Sequence, residues 1–89
     1  MNPTRLRVRW TDDALADLDR IATAKQAERV ILAMERMARF GWSTGRPAPS
    51  WGGKARYWSV RPLGVIYRAR DSELVIDAVV HGRQLRALP

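Results

Sequence analysis

The last apolar run of the chain ends Val79-Val80-His81-Gly82-Arg83, which sets the only histidine two residues before an arginine. An unperturbed imidazole titrates closer to neutrality than any other side chain, so His81 is the default candidate for proton transfer. Arg83 beside it can hold a phosphate or stabilise the added negative charge of a pentavalent phosphorane. Arg56, Arg61 and Arg68 fall on what read as adjacent strands, where residues of one face converge across neighbours. Three guanidiniums on one face are unfavourable unless anions or carboxylates reach them. The structural alternatives are a histidine at a sheet edge making one backbone hydrogen bond, and arginines on a solvated strand face. Lys54 follows Gly52-Gly53, but the spacing of a phosphate loop is absent and the segment leads into a strand rather than a helix. Asp71, Glu73 and Asp77 flank or enter the final hairpin singly, so the pattern offers no paired carboxylates.

These residues belong to a wider asymmetry of charge. From Arg36 to Arg70 the chain carries eight cations and no Asp or Glu, while six of its nine acids lie between Asp12 and Glu35. The cationic run is interleaved with Trp42, Trp51, Tyr57, Trp58 and Tyr67. Arg and Lys neutralise phosphates and release counterions, and aromatic faces stack on exposed bases, so the run suits a polyanion. The alternative is a soluble surface that is merely rich in arginine, and Trp51 and Trp58 fit core or hinge packing better than base stacking.

Composition narrows the classes. At 89 residues the chain makes one domain, with a hydrophobic content of 46% that suits a folded core. Its net charge of +7 means that an acidic partner would relieve self-repulsion. With no cysteine and one histidine, disulfides, thiolate metal sites and His-rich metal sites are excluded, and no cofactor is expected. The sequence shows no apolar run of signal-peptide or membrane-spanning length, so a cytoplasmic protein without membrane contact is expected.

The elements that must position the candidates follow from periodicity. Arg5 to Trp10 alternates, with Leu6, Val8 and Trp10 on one face and Arg5, Arg7 and Arg9 on the other, as in a half-buried strand. Thr11 can cap a helix whose first turn holds Asp12 and Asp13, where carboxylates complement the helix dipole. Leu15, Leu18, Ile21 and Ala22 would form its apolar stripe. A second helix is expected from about Lys25 to Phe40, with Ala27, Val30, Ile31, Met34, Met37 and Ala38 buried and Gly41 as its stop. The break near Ala22-Thr23-Ala24 holds no Gly or Pro, so the alternatives are one continuous helix and a tight helical hairpin. The hairpin is expected, because a single helix of about 30 residues would have little to pack against. Gly41 to Gly53 reads as loop. Strands over Arg56–Val60, Leu63–Ala69 and Leu74–Val80, joined at Arg61-Pro62 and Asp71-Ser72, read as an antiparallel meander. The nearly all-apolar Leu74–Val80 suggests a central strand. One core should unite Leu6, Val8, Trp10, Leu15, Leu18, Ile21, Val30, Ile31 and Met34 with Leu74, Ile76 and Ala78.

In that order the chain resembles the RelE/ParE superfamily of bacterial type II toxins. The likeness is carried by Trp10-Thr-Asp-Asp-Ala-Leu-Ala-Asp-Leu-Asp-Arg-Ile21, by Gly64-Val-Ile-Tyr67-Arg68-Ala-Arg, and by Leu74-Val-Ile-Asp-Ala-Val-Val-His-Gly-Arg83. It implies an α+β fold of order β-α-α-β-β-β, a twisted, mainly antiparallel sheet backed by a helical hairpin. It also implies a cognate acidic antitoxin that wraps the toxin, in a possible hetero-oligomer. RelE-like members cleave mRNA in the ribosomal A site without a metal, whereas ParE-like members are described as gyrase poisons lacking that catalytic set. On the first reading His81, Arg83, Arg56 and Arg61 are catalytic, and Lys54, Arg68 and Tyr67 contact nucleic acid or another target. Two features depart from RelE: Gly64 stands where an Arg commonly precedes the Val-Ile-Tyr run, and the chain ends Leu85-Arg-Ala-Leu-Pro89 without a C-terminal Tyr. The leading expectation is ribosome-dependent mRNA cleavage. The alternatives are a non-catalytic inhibitor of DNA gyrase and an RNA-binding module without toxicity.

Overall fold

A computed structural model describes residues 5–82. Strand β1 (Arg7–Trp10) leads into α1 (Asp12–Ile21) and α2 (Ala24–Phe40). A short strand β2 (Arg46–Pro47) then precedes β3 (Arg56–Val60), β4 (Leu63–Arg70) and β5 (Glu73–His81). The five strands form one sheet in the order β1-β5-β4-β3-β2. β3, β4 and β5 are the expected antiparallel meander, while β1 lies parallel to β5, with Arg7 opposite Glu73 and Trp10 opposite Ile76. The order β-α-α-β-β-β is therefore found, with β2 added inside what reads as loop.

Local chemistry accounts for the helix ends. Thr11 Oγ1 accepts from Ala14 N at 3.1 Å and donates to Ile76 O at 2.8 Å, so one hydroxyl starts α1 and fastens it to β5. Thr23 and Gln26 form a reciprocal capping box, which explains how two helices meet at Ala22–Thr23 without Gly or Pro. Gly41 ends α2, its N–H bonding Met37 O. Asp71 takes the left-handed conformation, φ 56°, in the tight turn between β4 and β5.

The core lies between the helices and one sheet face. It joins Ala14 and Leu18 of α1, Val30, Met34, Met37 and Ala38 of α2, and Leu63, Val65, Tyr67, Leu74, Ile76 and Val79 of the sheet. Leu6, Val8 and Trp10 pack against it from β1 as their alternation requires. Three expected core members are displaced. Leu15 and Ile31 are 49% and 41% exposed, because the inward stripe is narrower than their spacing suggested and Ala14 takes the place beside Leu18. Ala78 lies on the opposite face with Ile66, Val80, Ala48 and Ala55. A β-bulge is the reason: Ile66 pairs with Ala78 but Tyr67 pairs with Ile76, so Asp77 is an extra residue that reverses the alternation beyond it. Past the end of β1, α1 takes over the free edge of β5, where Asp17 Oδ2 accepts from Val79 N at 3.1 Å. Among the described residues no helix is long and apolar enough to cross a membrane.

Candidate functional site

The side chains singled out by their chemistry divide between two ends of the sheet and its two faces. His81 is exposed at the end of β5, opposite Leu63. Arg61 is exposed in the adjoining turn, where its peptide to Pro62 is cis and Pro62 O accepts from Gly82 N at 2.8 Å. Arg29, from α2, donates to the carbonyl of Arg61 and brings another cation to this end. Its reach spans 32 residues, so local pattern gave no sign of it. Arg83 lies outside the described residues.

Arg56 is at the other end of β3. It pairs with Tyr67, four residues from the turn that carries Arg61, which at ~3.3 Å per residue is on the order of 13 Å. Its Nη1 donates to the carbonyls of Gly45 at 2.8 Å and Ser43 at 3.2 Å. Tyr67 completes this fastening: its hydroxyl accepts from Gly45 N at 3.0 Å and donates to Trp42 O at 2.8 Å. The ring has no exposed surface, so Tyr67 cannot meet a target directly in this conformation. Burial raises the pKa of the hydroxyl, against smaller downward pulls from the Gly45 N–H and the Arg56 guanidinium. Gly45 is required by the same close approach. A Cβ there would collide with Tyr67 Oη and stand 2.8 Å from Tyr57 O. Arg56 and Tyr67 thus hold the 42–46 segment against the sheet.

Arg68 points from the opposite face, because it neighbours Tyr67 in β4, and its Nε lies 3.2 Å from Asp77 Oδ2. The expected convergence of Arg56, Arg61 and Arg68 on one face is therefore not found: two point to opposite faces and the third is in a turn. Lys54 is exposed in the turn before β3, two residues after Gly52, whose φ of 130° suits glycine. Trp51 and Trp58, expected in core or hinge packing, are 43% and 38% exposed. Trp58 instead borders a shallow cleft of about 280 Å³ with Met37, Phe40 and Arg36. A second cleft, about 430 Å³, follows the outer edge of β1 and is lined by Arg5, Arg7, Arg39 and Glu35. Among the described residues no three His, Cys, Asp or Glu side chains gather as metal ligands would.

Residues 8–86 match the model of a protein family described as the ParE toxin of the type II toxin–antitoxin system parDE. The chain belongs to that family. As a type II toxin it has an antitoxin for a partner. Its fold is shared with a structure described as the chromosomal ParDE TA system from P. aeruginosa, with a TM-score of 0.73 and 18% identity over 90% of the toxin and 98% of that chain. The conserved hypothetical protein HP0894 from Helicobacter pylori superposes with a TM-score of 0.65 and 15% identity, over 90% and 98% of the two chains. No curated protein matches the toxin.

Proposed function

We propose that the toxin inhibits growth by binding DNA gyrase without catalysing a reaction, and that an acidic antitoxin neutralises it. The observation that carries this reading is the dispersal of the candidate catalytic set. General acid–base chemistry at a phosphate needs its proton donor and its charge-stabilising cations within hydrogen-bond reach of one reacting group. Arg56 lies at one end of the sheet with its guanidinium engaged by loop carbonyls, while His81 and Arg61 lie at the other. Tyr67 is enclosed in the core. Membership of the ParE family supports the same target, as does Gly64 in place of the arginine of RelE-like sequences. Ribosome-dependent mRNA cleavage, the leading expectation from the residues alone, is thereby the less favoured mechanism.

The antitoxin is assigned an acidic, partly apolar segment. The cleft beside Phe40 and Trp58 has Arg36 as its charged wall, and the edge of β1 offers unpaired strand positions beside Arg5, Arg7 and Arg39. A peptide can add a strand to such an edge or lay apolar residues into such a groove.

The deciding experiment sets a gyrase supercoiling assay against mapping of mRNA ends in cells that express the toxin. Purified toxin is expected to block supercoiling, mRNA to stay intact within translated codons, and His81→Ala and Arg61→Ala to remain toxic. Cleavage inside codons on ribosomes, abolished by a folded His81→Ala variant, would return the toxin to ribonuclease chemistry.

A further inference from the structure

The helices cover one face of the sheet, and the opposite face presents a lattice of arginines. Register places Arg7, Glu73 and Arg70 in one row across β1, β5 and β4, and Arg9, Val75 and Arg68 in the next. The two arginines of a row stand two strand spacings apart, about 10 Å, and the rows are two residues apart, about 7 Å. Arg46 of β2, opposite Tyr57, adds a fifth arginine to this face. Its acids are Glu73, 3.9 Å from Arg9, and Asp77, 3.2 Å from Arg68. Five arginines against two carboxylates leave three positive charges uncompensated, and neither Arg7 nor Arg70 has an ion pair among the described residues.

From this face we infer a surface for the phosphate backbone of duplex DNA, bound without reading its sequence. Three features select that partner. A peptide would find no socket for its side chains, because Val75 between the arginines is buried and Ile66, Ala78 and Val80 on the same face are already packed with Ala48, Ala55 and Tyr57. The cleft that could take apolar groups opens instead on the helix side, beside Phe40 and Trp58. A single strand binds by stacking bases on aromatic platforms as well as by charge. Here Trp58 faces the helix side, paired with Val65, and Tyr57 is half-buried with its hydroxyl 3.5 Å from Arg46 Nη1. Trp51, exposed in the 48–55 segment, is a single ring where successive bases need several. What remains is a set of guanidiniums at fixed spacing on strands, the kind of contact that positions a protein on phosphates and carries no sequence information. The inference does not depend on gyrase being the target.

Fluorescence anisotropy of a short labelled DNA duplex, titrated with the free toxin at several salt concentrations, tests it. With about three phosphate contacts, one for each uncompensated arginine, the logarithm of affinity should fall with log salt at a slope of about −2.7, roughly a fortyfold loss between about 50 and 200 mM. Arg7→Ala and Arg70→Ala should each make the slope shallower by about 1, and Arg7→Lys should largely preserve it. Arg36→Ala, on the helix side, should leave it unchanged, with circular dichroism confirming that every variant is folded. An unchanged slope in the Arg7 and Arg70 variants, or an equal loss in Arg36→Ala, overturns the inference. So does tighter binding of single-stranded RNA of the same length, or equal binding of polyglutamate. Gyrase is absent from the titration, so failure of the proposed target would leave its result intact.

Discussion

Replacing Tyr67 by Phe removes a single oxygen and keeps the ring that fills the core. That oxygen serves two backbone groups, Gly45 N–H at 3.0 Å and Trp42 C=O at 2.8 Å. Gly45 is buried and Trp42 half-buried, so water can replace only part of what is lost. A buried polar group left without its partner costs about 1–3 kcal/mol, and with partial hydration the pair should cost roughly 2–3 kcal/mol. For a domain of this length that is a fall in Tm on the order of 10–20 °C. Urea titrations followed by far-UV circular dichroism should show a lower midpoint and an unchanged m-value. The pH dependence gives an independent check. Burial holds the Tyr67 pKa above its ordinary value of 10.0, so the unfolded chain ionises first as pH rises. The stabilising contribution is therefore complete below pH 10 and is lost as pH climbs from there through the folded-state value. Tyr67→Phe lacks that group, so its stability should decline less steeply in alkali than that of the parent. If the variant matches the parent within ~0.5 kcal/mol, or shows the same alkaline slope, Tyr67 does not fasten the 42–46 segment as described.

The remaining expectations can be checked with the same denaturation assay or by rapid mixing. Leu18→Ala should cost about 2–5 kcal/mol, since Leu18 is buried in the main core, whereas Leu15→Ala at a half-exposed position should cost under about 1 kcal/mol. Equal losses would mean that the inward face of α1 is misplaced. Asp17→Ala should cost about 1.5–3 kcal/mol, because it leaves Val79 N–H without its charged acceptor, and Asp17→Asn should recover part of the loss. Association with the acidic antitoxin should slow by roughly tenfold or more as salt is raised, since charge steering is screened. A rate indifferent to salt would remove the electrostatic account of that partnership.

Much of the architecture was legible because it depends on short-range chemistry. The alternation of Arg5 to Trp10 gave β1 and its buried face, Thr11 and Gly41 marked helix ends, and Arg61-Pro62 and Asp71-Ser72 gave the turns of the meander. Three features were not legible, each for a physical reason. The Asp77 bulge changes which face Ala78 joins, yet a bulge is a property of two paired strands and leaves no period in either one alone. The exposure of Leu15 and Ile31 depends on how much of each helix the sheet covers. β2 is two residues long and exists through its pairing with Arg56 and Tyr57, so nothing in Arg46-Pro47 announces it. The candidate site shows the same division. His81, Arg61, Arg56 and Arg68 were identifiable by type, but their separation into two ends and two faces depends on register and on the Tyr67–Gly45 contact across 22 residues.

The parallel pairing of β1 with β5 has a consequence for how the toxin comes into being. Arg7 and Glu73 are partners, so the first strand has no neighbour in the sheet until the ribosome has made almost the whole described chain. β5, the last of the described strands, lies between β1 and β4 and supplies Leu74, Ile76 and Val79 to the core. A nascent chain halted before β5 has two helices and a hairpin with no centre to pack against. Contacts this distant in sequence form late and close at substantial entropic cost. An incomplete translation product should therefore be unable to assemble the native sheet, and the toxin's surfaces become available together, near the end of synthesis, rather than piece by piece.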